Sequence, residues 1–146
     1  MTLKLNADEM MAFIDEVFPQ VRGEFAIDHL DGDRLVARLL VGERHLRPGN
    51  TVSGPAMFGL ADVAAYMVTM AHVGREALAV TTNCSIDFMR KPAAGADLLA
   101  EARLLKLGQS LSVTDVLIYS EGSDKPVARA SLTYSLPKSV RGQGAV

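Results

Sequence analysis

The chain has 146 residues, enough for one ordinary domain, and 49% of them are apolar, which excludes a disordered chain. Its 15 basic and 17 acidic residues give a net charge of −2, so no overall positive field would hold a nucleic-acid backbone. A single cysteine, Cys84, excludes an internal disulfide, and no Cys and His residues have zinc-site spacing. Residues 1–20 mix acids with apolar residues, unlike a signal peptide. We therefore expect a single domain over residues 1–146 in a reduced, cytoplasmic setting, with no metal and no nucleic-acid partner.

Hydrophobic periodicity predicts one helix and then two strands in the first part of the chain. Asn6 is a favourable helix cap, and apolar residues recur after it at helical spacing until Pro19, which predicts a helix over residues 7–18. Residues 22–30 and 33–41 are predicted strands, joined by a turn that contains an Asp-Gly pair.

The most informative segment is residues 54–72, GPAMFGLADVAAYMVTMAH, whose only formal charge is Asp62. Ser53 can cap a helix here, and Pro55 fits the first turn, where its missing N–H costs nothing. An apolar helix of this length is typical of a buried helix or a membrane span. A central Asp would cost about 2.5–3.5 kcal/mol in a bilayer, and the short amphipathic strands of the chain need a soluble core. The segment is therefore predicted to be a buried helix, with no membrane partner.

Four further strand patterns follow, over residues 79–88, 97–107, 110–120 and 126–136. Their short connections predict antiparallel neighbours in a four-strand meander. Residues 137–146 are predicted to form a flexible tail. The resulting fold class is α+β: an antiparallel sheet of five to six strands wrapped around a long central helix, plus a short N-terminal helix.

Asp62 is the first candidate functional residue. It lies about two turns into an apolar helix, where an ionised carboxylate must be paired, protonated or facing a cavity. Such acids cluster at active sites, although an Asp that bridges groups within the monomer fits the same pattern. The helix start is the second candidate: the Gly54 amide favours an oxyanion or a carbonyl oxygen there, although simple capping by Ser53 also explains these residues.

Basic residues near turns form a third, weaker signal. Arg90 and Lys91 follow one predicted strand, and Lys106, Gly108 and Gln109 surround a predicted hairpin. A Gly-containing hairpin flanked by Lys can hold a phosphate, but scattered lysines more often protect sheet edges.

Two segments carry a family resemblance: residues 47–62, RPGNTVSGPAMFGLAD, and residues 85–93, SIDFMRKPA. They resemble the hotdog-fold acyl-CoA thioesterases, the branch similar to phenylacetyl-CoA thioesterase (PaaI-like), and the resemblance covers about residues 20–136. That family has the loop pattern Asn-x-x-Gly-x-x-His-Gly-Gly before the central helix, with an acid seven positions after the last Gly. Asp62 stands seven positions after Pro55. The residues that depart from the pattern are Arg47 for Asn, Asn50 for the first Gly, Ser53 for His and Pro55 for the second Gly.

The resemblance implies that Asp62 is the general base or the nucleophile on a thioester and that the Gly54 amide binds the carbonyl oxygen. Thr81 would stand beside the attacking water; outward alternation favours it over Thr82, which a one-residue slip would select. Asn50 would supply a replacement amide. The substrate and CoA would contact Ser53, Arg47, Met57, Phe58, Tyr66, Arg90, Lys91, Lys106, Gly108 and Gln109.

The function implied by the resemblance is hydrolysis of an acyl-CoA thioester to free acid and CoA, with no cofactor besides the coenzyme A of the substrate. It implies a homodimer, or a dimer of dimers, in which two sheets join edge to edge and each site borrows residues across the interface. Because Arg47, Ser53 and Pro55 replace family residues, the alternative is a hotdog protein that binds acyl-CoA or a carboxylate ligand without turnover. A purely structural Asp62 at a dimer interface and a dehydratase of the same fold are the remaining alternatives.

Overall fold

The computed structural model describes residues 2–137 and contains two α-helices, two short 3-10 helices and eight strands. The predicted tail lies, from residue 138 onward, outside the described residues. In chain order the elements are α1 (Ala7–Val17), β1 (Phe25–Leu30), β2 (Leu35–Leu39), β3 (Leu46–Arg47), β4 (Thr51–Val52), α2 (Gly54–Val73), β5 (Val80–Phe88), β6 (Leu98–Leu107), β7 (Leu111–Ser120) and β8 (Pro126–Ser135).

The caps predicted for the two helices are confirmed. The Asn6 side chain accepts a hydrogen bond from the Glu9 amide at 2.8 Å, and the Glu9 carboxylate accepts one from the Asn6 amide at 3.0 Å, which forms a capping box at α1. The Ser53 hydroxyl accepts a hydrogen bond from the Ala56 amide at 3.2 Å at the start of α2. Each bond satisfies an amide that the helix itself leaves without a partner.

The central helix α2 supplies much of the core. It is long and apolar enough to cross a membrane by length and composition alone, but 67% of its most apolar stretch is buried inside the protein. The sheet packs against it through β2, β6, β7 and β8. Burial inside this sheet therefore accounts for its apolar character, as the sequence predicted.

The main sheet has six antiparallel strands in the order β1-β2-β6-β7-β8-β5, and the predicted hotdog arrangement around α2 is confirmed. The predicted four-strand meander is wrong for β5, which pairs with β8 and not with β6. The reason is the connection over residues 89–97, which is longer than a tight hairpin and carries the chain past β8 and β7 to β6. The strand β5 thereby becomes an edge of the sheet.

Leu60→Ala is expected to lower the free energy of unfolding by about 2–5 kcal/mol, because this side chain of α2 is fully buried and its removal leaves a cavity. The matched control is Leu105→Ala, the same deletion at a side chain that is 63% exposed, with an expected change of about 0.5 kcal/mol or less. Urea denaturation measures both variants. Equal denaturation midpoints for the two would contradict this packing.

Candidate active site

The Asp62 carboxylate is held by two hydroxyl donors that converge on one oxygen. The Thr81 hydroxyl donates to Oδ1 at 2.7 Å, and the Tyr134 hydroxyl donates to Oδ1 at 2.6 Å. The Tyr134 hydroxyl also lies 3.0 Å from the main-chain oxygen of Asp62. Within residues 2–137, no group donates a hydrogen bond to Oδ2. Asp62 is therefore paired on one oxygen while the other can receive a ligand.

Register between two neighbouring strands brings the donors together. Thr81 of β5 is the cross-strand partner of Tyr134 of β8, so both side chains can face α2. The register shifts between Thr81 and Asn83, which leaves Thr82 as an extra residue in β5. Cys84 packs partly against the core, so regular alternation along β5 would point Thr82 toward α2 as well. The register shift changes this alternation, and Thr81 points toward α2 instead.

A cavity of about 400 Å³ opens beside Asp62 between α1, α2 and β5. Its lining is apolar except for the Asp62 carboxylate and the hydroxyls of Thr81, Tyr66 and Tyr134. The Tyr66 ring stacks on Phe13 of α1 at 6.5 Å and lies 5.8 Å from the Tyr134 ring. The other lining residues are Ile14, Val17, Phe18, Val63, Ala77, Ala79 and Val80. A carboxylate at the wall of an apolar cavity fits a substrate with a non-polar group beside its reacting atom.

Burial changes the acidity of the groups around Asp62. It raises the pKa of Tyr66 to about 12. Burial first, and the Asp62 charge second, raise the pKa of Tyr134 well above its usual range. The same two causes, in the same order, raise the pKa of the Cys84 thiol. The phenol of Tyr134 therefore keeps its proton at neutral pH and remains a hydrogen-bond donor to Asp62.

A second cavity, of about 430 Å³, lies at the start of α2 and contains Gly54. Arg47, Arg90 and Lys91 place three positive charges on its wall. Gly54 precedes Asp62 by eight residues, which is about 12 Å along a helix axis. A single chain therefore has the predicted carbonyl-binding amide and the predicted reacting acid in two separate cavities. The remaining lining residues are Thr51, Val52, Met57, Phe88, Met89 and Pro92.

Several predicted contacts of the substrate are not brought together within one chain. Met57 lines the second cavity and Phe58 is 41% exposed and lines neither, so of the three predicted acyl contacts only Tyr66 borders the Asp62 cavity. Ser53 uses its hydroxyl as the helix cap. Helical rotation points these residues in different directions, so a single chain does not bring them to one cavity.

Asn50 does not lie beside Gly54 or Asp62. It follows Gly49 in the β3–β4 turn, where its own φ is 62°, and its amide donates to the Arg47 carbonyl at 3.0 Å. Asn50 lines a third cavity, together with residues 94–97 that precede β6. Within this chain the turn therefore aims Asn50 away from the Gly54 cavity, and its role as a replacement amide stays a prediction.

The predicted phosphate-binding residues lie at two ends of the sheet. Lys106, Gly108 and Gln109 belong to the β6–β7 hairpin, at the end where Thr81 lies. Arg90 and Lys91 follow β5 at the opposite end. The two groups form no single cluster in one chain, because the β6–β7 hairpin and the connection after β5 lie at opposite ends of the antiparallel strands.

Tyr134 is a site residue that the sequence reasoning missed. The inward positions of β8 are buried in alternation, Ala128, Ala130, Leu132 and Tyr134. A tyrosine at an inward position needs a hydrogen-bond partner for its hydroxyl, and this need is the sequence signal that could have placed Tyr134 near a polar group of the core. Within residues 2–137, no group of three His, Cys, Asp or Glu side chains could hold a metal ion.

A sheet wrapped around one long helix, with an acid of that helix at the wall of an apolar cavity, defines a hotdog protein with a candidate hydrolytic site. The chain belongs to the thioesterase superfamily, whose family model matches residues 49–127. No match was found among curated proteins.

Solved structures agree with this membership. The chain is 60% identical to a candidate thioesterase from Silicibacter sp. TM1040, over 94% of this chain and 95% of the other, with a TM-score of 0.89. It is 28% identical to an N33D mutant of the phenylacetic acid degradation protein PaaI from Thermus thermophilus, over 82% and 99% of the two chains, with a TM-score of 0.69. A Streptococcus mutans UA159 protein crystallised with acetyl-CoA has the same fold, at 22% identity, 80% and 91% coverage and a TM-score of 0.70.

Proposed function

We propose that this protein hydrolyses acyl-CoA thioesters to a free acid and CoA, with Asp62 as the reacting acid. The observation that carries the proposal is the Asp62 carboxylate, which is fixed through Oδ1 by two donors and belongs to a residue that lines an apolar cavity. Membership of the thioesterase superfamily supports thioester hydrolysis as the reaction class.

Two routes are open to this carboxylate. In the first, Oδ2 takes a proton from water and the water oxygen attacks the thioester carbonyl carbon. The C–S bond then breaks, its electron pair leaves with the sulfur, and the proton held by Asp62 passes to that sulfur to give the CoA thiol. In the second, Oδ2 attacks the carbonyl carbon itself, CoA leaves, and water hydrolyses the resulting mixed anhydride. Both routes place negative charge on the carbonyl oxygen, which a fixed N–H donor stabilises.

The Gly54 amide is the donor we propose for that oxygen, supplied by a second copy of the chain. The strand β5 is a sheet edge, and its ends carry exposed apolar residues, with Val80 56% and Phe88 52% exposed. Such an edge is a ready template for another strand. Antiparallel pairing of two β5 strands about a two-fold axis brings the Val80 end of one chain to the Phe88 end of the other. Val80 lines the Asp62 cavity and Phe88 lines the Gly54 cavity. This pairing would therefore bring each Asp62 cavity to the Gly54 cavity of the partner chain.

Coenzyme A is the ligand we propose for the positive cavity around Gly54. Arg47, Arg90 and Lys91 line it, and cations of this kind bind phosphate groups. The Streptococcus mutans relative with bound acetyl-CoA supports a ligand of this type. We propose a cytoplasmic homodimer, or a dimer of dimers, that needs no other cofactor.

Val17→Phe is expected to reduce the length of the longest acyl group that the enzyme accepts. Val17 lines the Asp62 cavity and is 37% exposed, so the phenyl ring of the variant can extend into the cavity without overpacking the core. For the longest acyl group that the wild type accepts, kcat/KM should fall about tenfold relative to acetyl-CoA. The control is Leu40→Phe, at a side chain that is 40% exposed and does not line this cavity. An unchanged chain-length profile in Val17→Phe would place the acyl group elsewhere.

The proposed function is tested by thiol release from a panel of acyl-CoAs that runs from acetyl to long-chain and includes phenylacetyl-CoA. Turnover of at least one class by the wild type is the expected result. A protein that turns over none of them, and that co-purifies with an intact acyl-CoA, would instead be a binding protein.

A further inference from the structure

The Tyr134 hydroxyl lies within hydrogen-bond distance of two oxygens of Asp62. It lies 2.6 Å from Oδ1 and 3.0 Å from the main-chain oxygen of the same residue, while its side chain is buried at 3% exposure. One buried phenol therefore links the carboxylate of Asp62 to the helix backbone that carries it.

We propose that Tyr134 is a positioning residue for the hydrolysis proposed above, one that fixes the Asp62 carboxylate so that Oδ2 is the reacting oxygen. The inference rests on that proposed function. The last torsion of an Asp side chain is broad and nearly two-fold, so an unrestrained carboxylate would exchange its oxygens freely. Two donors on Oδ1 fill its two lone pairs and leave Oδ2 for water or for the thioester.

Tyr134 is the more rigid of the two donors. Its strand β8 lies between β7 and β5 and is hydrogen-bonded on both sides. Its ring packs on Tyr66, which stacks in turn on Phe13 of α1. Thr81 is exposed and lies on the edge strand. Tyr134 therefore sets the direction of the carboxylate, and Thr81 completes the pair from the solvent side.

Tyr134→Phe tests the proposal because it removes the hydroxyl and keeps the packed ring. We expect kcat to fall about 10- to 100-fold, since misaligned reacting groups lose a factor of this size, while KM changes by less than about threefold. In an Asp62→Asn background the same substitution should cause no further loss of kcat, because its effect passes through the carboxylate. A residue that only supported the fold would lower the activity of both backgrounds alike.

Tyr119→Phe is the matched control: it removes a phenol hydroxyl from β7, and this tyrosine borders a different cavity. It should keep the wild-type kcat. Three results would overturn the proposal: an unchanged kcat in Tyr134→Phe, an equal loss in both backgrounds, or a Tyr134→Phe protein that no longer unfolds cooperatively. If the wild type itself hydrolyses no thioester, the proposed function fails, and this outcome is distinct from an active wild type with an equally active Tyr134→Phe.

Discussion

Asp62→Asn should lower kcat for thioester hydrolysis by about 10²- to 10⁴-fold, the usual contribution of a positioned general base. The amide keeps the size of the carboxylate, and its oxygen can still accept the hydrogen bonds of Thr81 and Tyr134. What is lost is the ability of the second oxygen to take a proton or to attack a carbonyl carbon. Steady-state thiol release, with circular dichroism to verify the fold, measures the effect.

The control for this substitution is Asp33→Asn, which makes the same chemical change in the exposed turn between β1 and β2. Wild-type kcat in Asp62→Asn would remove Asp62 from the mechanism. One turnover in water enriched in heavy oxygen separates the two chemical routes: direct attack is the route that can leave label in the Asp62 carboxylate, whereas attack by water leaves label in the acid product alone.

Gly54→Pro should lower kcat about 10²- to 10³-fold, the loss seen when one donor to a developing oxyanion is removed. Proline deletes the Gly54 N–H and is well tolerated at the first position of a helix. Ser53 has φ −74° and ψ 157°, which suits a residue before proline. The comparison variant is Gly54→Ala, which keeps the N–H and would place its Cβ at an ordinary 3.5 Å from the Phe88 ring. The difference in kcat between the two variants therefore reports the amide.

Mixing the two inactive variants extends the second prediction to the assembly. In a heterodimer of Asp62→Asn and Gly54→Pro, a site built from both chains is intact once and doubly defective once. Random exchange of subunits should then restore about a quarter of the wild-type activity, because half of the dimers are mixed and each has one good site. A site contained within one chain would give no recovery.

The elements of this fold could be predicted from the sequence because their signals are local. A cap at Ser53 and an unbroken apolar run define α2, which ends at Val73, one residue beyond the predicted end. Strand pairing is different, since the position of β5 depends on a connection that crosses the sheet. No periodicity within residues 79–88 distinguishes a partner in β6 from one in β8.

The candidate site could be predicted only in part, because some of its residues have a local signal and others depend on strand pairing. Asp62 stands out because it is the only formal charge in an apolar helix, and such a signal needs no structure. Whether Thr81 or Thr82 faces it depends on the register shift in β5, and Tyr134 reaches it from a strand 72 positions later. Contacts of this kind follow from three-dimensional pairing, so the predicted set lacked Tyr134 and included Asn50, which lies apart from Gly54 in this chain.

The spacing between Gly54 and Asp62 limits how this chain can vary in length. One residue inserted between them would rotate Asp62 by about 100° around the helix axis and take it away from Thr81 and Tyr134. The exposed turn between β7 and β8, over residues 121–125, has no such restriction. We expect related chains to differ in length at that turn and to keep the eight-residue interval in α2.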